Sequence, residues 1–142
     1  MLFGTILASL LIGAIWLLYL SAGNASGQPR PTREQRKAFD NAEQFIKKGY
    51  LAMSMGNADD GQWQFGQALA QARISQDAFQ LSESLEGLAR ARMKKGDGKS
   101  AIPLLEEALS LEPQWYTPKP NYSALMRTEL AEAKAIAAKQ AD

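Results

Sequence analysis

A chain of 142 residues with 16 Lys plus Arg against 15 Asp plus Glu, formal net charge +1, has room for one modest domain and not for a large two-domain enzyme. It contains no His and no Cys, which removes disulfides, thiolate chemistry, Cys/His zinc sites, imidazole bases and Ser/His/Asp triads together. The near balance of charge also lacks the positive surplus by which nucleic-acid binders neutralise phosphates, so no nucleic-acid partner is expected, and no motif calls for a cofactor or metal.

The first twenty residues, MLFGTILASLLIGAIWLLYL, carry no charge, and eleven of them are Leu, Ile or Phe. As a helix rising ~1.5 Å per residue they reach about 30 Å, the thickness of a bilayer's hydrocarbon core, and residues 1–20 are predicted to form a transmembrane anchor in the lipid bilayer. Trp16 and Tyr19 stand where amphipathic rings meet the headgroups. Thr5, Ser9 and Gly13, spaced by four, form a row of small residues on which another membrane helix could pack closely. Arg30, Arg33, Arg36 and Lys37 follow the apolar run and no basic side chain precedes it. That asymmetry predicts a single-pass protein with its amino terminus outside and the rest cytoplasmic. The competing reading is a cleaved signal peptide, with small residues at Ser21, Gly23 and Ala25, and an exported, periplasmic product. Residues 21–31, rich in Gly, Ser, Asn and Pro, read as a flexible linker.

From Thr32 onward there is no alternating strand pattern, and the chain contains no Val, so an all-α domain is predicted over residues 32–142. Thr32 with Gln35, Asn57 with Asp60, and Asp77 with Gln80 mark helix starts. Gly56 and Gly96 mark helix ends. The predicted helices run over about 33–55, 58–74, 78–95, 100–111 and 122–140, with Ser100 as the start of the fourth so that Pro103 falls in its first turn.

An offset of forty residues places Glu43 on Glu83, Phe45 on Leu85, Gly49 on Ala89, Met53 on Met93, Gly56 on Gly96 and Asn57 on Asp97. The match continues with Gly61 on Ala101, Phe65 on Leu105, Ala68 on Ala108 and Leu69 on Leu109. Such a period implies stacked helical hairpins, about 42–75 and 82–113, with small residues at the helix crossings. Replacing Gly61 or Ala101 by Leu is expected to overpack the crossing by roughly 1 to 3 kcal/mol. The tail, about 122–140, alternates Leu125, Leu130, Ala133, Ile136 and Ala137 with charged residues and reads as a capping helix. Two hairpins are fewer than a stable stack needs, so this helix, the segment before Ala42, or a second copy of the chain is expected to cover the ends.

The stretch LEGLARARMKKGDGKSAIPLLEEALSLEP, Leu85 to Pro113, resembles the tetratricopeptide repeat (TPR) family in its forty-residue form. It carries the large residue at Leu85, the Leu-small pair Leu88-Ala89, the turn Gly96, small Ala101, large Leu105, Ala108-Leu109 and the closing Pro113. The first copy keeps Phe45, Gly49, Gly56, Gly61, Phe65, Ala68 and Leu69, but Lys48 stands where the pattern has Leu, and no Pro closes it. The resemblance implies peptide binding in a groove lined by the first helix of each hairpin, which would present Glu43, Ile46, Lys47, Tyr50 and Met53, then Glu83, Glu86, Arg90, Met93 and Lys94. Ile46, Tyr50 and Gly87 stand where some members clamp a terminal carboxylate, which disfavours that ligand.

Other motifs carry less. Gly98-Lys99-Ser100 ends like a phosphate loop but follows a helix and lacks the earlier Gly, having Met93 there. Arg90, Arg92, Lys94, Lys95 and Lys99 form a basic run that is either a site for acidic groups or a solvated helix end. Trp115, Tyr116, Pro118, Pro120 and Tyr122 form either an aromatic platform or a packed loop. No catalytic constellation emerges. The expected function is a non-enzymatic, membrane-anchored scaffold that binds protein partners and assists assembly or stability of a membrane complex; a small structural subunit of such a complex is the alternative.

Overall fold

A computed structural model describes residues 29–140; the apolar segment 1–20, with Thr5, Ser9 and Gly13, and all but the end of the 21–31 linker lie outside the described residues. The chain divides after Arg30, and the unit that begins at Pro31 consists of five α-helices and one 3-10 turn with no strand among the described residues. The helices are α1 (Arg33–Ser54), α2 (Ala58–Ser75), α3 (Ala78–Lys94), α4 (Gly98–Ser110) and α5 (Pro120–Lys139), and the turn Glu112–Gln114 precedes α5. No helix among the described residues is long and apolar enough to cross a membrane.

Local chemistry sets the boundaries. Thr32 and Gln35 form a reciprocal capping box on α1, with Gln35 N donating to Thr32 Oγ1 at 3.1 Å and Thr32 N to Gln35 Oε1 at 2.8 Å. Asn57 and Asp97 each accept a backbone N–H three residues on, from Asp60 at 3.1 Å and Ser100 at 3.0 Å. The two turns before them are congruent. Gly56 and Gly96 adopt φ of 77° and 79°, and the next residue donates back to Ala52 O in one turn and Arg92 O in the other, both at 2.9 Å. This left-handed closure satisfies the last carbonyls of α1 and α3 and requires Gly for its positive φ.

Each helix packs antiparallel on the next, and α1 also touches α3 while α3 touches α5, so the odd-numbered helices form an inner row. The core follows the forty-residue offset. Phe65 and Leu105 are fully buried, as are Ala68 and Ala108, and beside them lie Gly61 and Ala101, Gly49 and Ala89. The Phe65 ring sits between α1 and α3, where a Cβ on Gly49 would come within 2.8 Å of it and one on Gly87 closer still. Two glycines thus make the slot for one aromatic ring, and emptying it by Phe65→Ala would remove ~3–5 kcal/mol.

The start of α4 differs from expectation. Asp97, not Ser100, is the capping residue, so α4 begins at Gly98 and Pro103 lies inside the helix. Asp97 wins because its carboxylate reaches the Ser100 N–H, whereas Ser100 already stands within the first turn. Gly98 is buried against α5, where an added Cβ would collide with Ala133 O. Its lack of a side chain serves helix approach, not phosphate binding.

Candidate binding site on the inner helices

The inner row brings together side chains from α1, α3 and α5 around a cavity of about 410 Å³ lined by Tyr50, Met53, Ser54, Arg90, Met93, Lys94, Glu129 and Glu132. Behind it lies a hydrogen-bonded and ionic chain. Tyr50 Oη donates to Glu86 Oε2 at 2.8 Å, Arg90 Nη1 stands 3.3 Å from Glu86 Oε1, and Arg90 Nε stands 3.4 Å from Glu129 Oε1. Glu86 is 0% exposed and Glu129 6%. Arg90, exposed itself, also stands over the Tyr50 ring at 6.0 Å.

Acceptors outnumber donors in this cluster. Among the described residues Glu129 Oε2 and the Tyr122 hydroxyl are buried without a hydrogen-bond partner, and Glu86 Oε1 has only its ion pair with Arg90. Burial, then the neighbouring Glu86 charge, pushes the Glu129 carboxyl up to about 8 against the attraction of Arg90. Burial also raises Glu86, although the Tyr50 hydrogen bond and Arg90 pull it down, and raises Glu83, where Glu86 adds to the effect. Tyr50 and Tyr122 are pushed up by burial and by Glu86, so both keep their protons. Burial works against the Arg90 cation, and Glu86 and Glu129 outweigh it.

Of the ten residues expected to face a groove, Tyr50, Met53, Arg90, Met93 and Lys94 line the cavity. Ile46 does not: it is 4% exposed and belongs to the stripe Ala38, Ala42, Ile46 and Gly49 that α1 buries. Glu86 does not reach the surface either, being enclosed behind Tyr50 and Arg90. Glu43 and Lys47 pair with each other at 2.6 Å on the exposed side of α1, and Glu83 is half-buried outside the cavity lining. Glu129 and Glu132 are not among the expected residues. Their signal in the sequence is that Glu129 lies three residues after buried Met126 and four before buried Ala133, a carboxylate on the apolar face of α5.

The basic run disperses. Arg90 serves the carboxylates, Arg92 Nη1 donates to Ser100 O at 3.2 Å, Lys95 binds Asp59 at 2.6 Å, and Lys94 joins Arg90 at the cavity. The aromatic segment divides: Trp115 is buried and meets Phe79 edge-on at 5.4 Å and Tyr122, on α5, at 5.7 Å, whereas Tyr116, Pro118 and Pro120 are exposed. No group of side chains suited to a metal ion occurs among the described residues. Comparison of the chain with protein-family models, with curated proteins and with solved structures gives no match.

Proposed function

We propose that this chain is a membrane-anchored helical-repeat adaptor of the tetratricopeptide type, which holds a protein partner against its inner helices and assists the assembly or stability of a membrane complex. The observation that carries the reading is the cavity shared by α1, α3 and α5, open at a surface with adaptable Met53 and Met93, aromatic Tyr50 and charged Arg90, Lys94 and Glu132. The congruent turns at Gly56 and Gly96 support the repeat relationship, and the uncharged segment 1–20 supports the anchor. The domain lies on the cytoplasmic side in this reading, as Arg30, Arg33, Arg36 and Lys37 suggest.

The test is a photo-crosslinking amino acid at Met53 or Met93 of the full-length protein in its native membrane, followed by solubilisation in mild detergent. A reproducible crosslinked protein is the expected product, and the same probe at exposed Glu106 should give none. Equal yields at all three positions, or no adduct, would defeat the adaptor reading. A second reading, a permanent small subunit, is favoured by the exposed apolar side chains of the first hairpin, Leu51, Met55 at 77% and Trp63 at 56%. It predicts a stoichiometric partner that stays through size-exclusion chromatography and whose removal precipitates the protein.

A further inference from the structure

The chemistry of the cavity wall specifies what should enter it. Its buried polar atoms are carboxyl oxygens: Glu129 lines the cavity with a side chain 8% exposed and an Oε2 without a donor among the described groups, and Glu86 Oε1 behind it has only the Arg90 guanidinium, 3.3 Å away. The one guanidinium at that depth, Arg90, is already shared between these two carboxylates. Glu132 on the next turn of α5 adds a further carboxylate to the lining and forms no ion pair among the described residues. At neutral pH the proton that Glu129 holds offsets the crowding of carboxylates, and an entering cationic donor takes its place and lets the carboxyl ionise. The remaining walls suit a long stem with a polar head, because Met53 and Met93 offer apolar contact along methylenes.

We propose that the cavity between α1, α3 and α5 receives a basic side chain, arginine or lysine, of a bound peptide, with Glu129 and Glu132 as the groups that take its charge. The assignment rests on the adaptor reading above and adds the partner's chemistry to it. Lys94, exposed at the same cavity, has the sign of the ligand and opposes it, which gives the surface a means of tuning affinity. Ionised Glu129 is the receiving form. The charged and titratable groups around it are Tyr50 from α1, Glu83, Glu86, Arg90 and Lys94 from α3, and Tyr122 and Glu132 from its own helix. With Glu129 held up to about 8, a cation must displace its proton at neutral pH, so affinity should rise about tenfold between pH 7 and pH 9.

The experiment uses the full chain in mild detergent and a display library of random heptapeptides. Enriched peptides are then synthesised with blocked ends, as pairs in which each arginine is replaced by uncharged citrulline. The expected result is enrichment of Arg or Lys, roughly tenfold or greater loss on citrulline replacement, and a similar loss in Glu132→Gln. Glu129→Gln should abolish the pH 7 to 9 rise, and Lys94→Gln, an exposed change that leaves the fold alone, should tighten binding. Enrichment of acidic peptides that Lys94→Gln weakens would overturn the assignment in favour of an anionic occupant. Enrichment with no charge preference would overturn it too while leaving the adaptor reading in place. A selection that enriches nothing removes both.

Discussion

The hydroxyl of Ser82 joins three elements. It lies 3.0 Å from Ala78 O on its own helix and 3.0 Å from Ala108 O on α4, and accepts the indole N–H of Trp115 at 2.9 Å. Ser82→Ala would strand the Trp115 N–H in a buried site and should lower unfolding free energy by ~1–3 kcal/mol in a denaturant titration. Glu129 contributes to the pH response together with Glu86 and Glu83. Its carboxyl titrates near 8 when folded against an ordinary 4.5, so between those values the folded chain binds more protons than the unfolded one, and stability falls as pH rises. The slope is at most ~1.4 kcal/mol per pH unit, and Tm should decline across this window and flatten in Glu129→Gln. Asp97 acts in the opposite sense at lower pH: its hydrogen bonds from Ser100 depress it, so its contribution is lost on acidification below its ordinary 3.8. Beyond the placing of Glu129 on an apolar face and of Asp97 on Asn57, little of this is legible from periodicity. Glu86 is expected to face a ligand in the groove, and its burial emerges only where α1 brings Tyr50 over it.

At the scale of the helix, the starts and turns are the most readable features, because each follows from a local hydrogen bond or a positive φ. Two are not. Gln76 ends α2 at φ 61°, a left-handed conformation for a residue other than Gly that no local pattern announces. The start of α4 is misplaced by giving Pro103 its preferred first-turn position, although the forty-residue offset already sets Asp97 on Asn57, a capping residue. With α4 starting at Gly98, Pro103 removes an interior N–H on the exposed side of the helix. Pro103→Ala should therefore stabilise the protein by about 1–2 kcal/mol, the restored helix bond being partly offset by a freer unfolded chain, and raise Tm in calorimetry.

In the whole unit, the departures of the first hairpin from the repeat have a geometric reason. On α3, Ser84, Gly87 and Leu88 are buried; their counterparts forty residues earlier on α1 are Gln44, Lys47 and Lys48, all exposed. Among the described residues no helix covers that side of α1, and one amide and two ammonium groups keep it in water. Lys48 in place of Leu thus suits a face that no described helix covers. Replacing the three by Ser, Gly and Leu, as on α3, should drive end-to-end association, seen as a larger mass in light scattering; an unchanged mass would contradict this account. Five of the eight lining residues can be read because repeat position places Tyr50, Met53, Arg90, Met93 and Lys94 on inner helices. The rest is Ser54 on α1 and the two carboxylates of α5, a helix that approaches α4 where Gly98 meets Ala133 and that no motif places. The bonds from Tyr50 through Glu86 and Arg90 to Glu129 reach from the first helix to the last. A linear array coupled only between neighbours would fray inward from either end. One laced along its inner side should instead melt in a single step, and anything that loosens the lace at the middle helix should be felt at both termini of the domain.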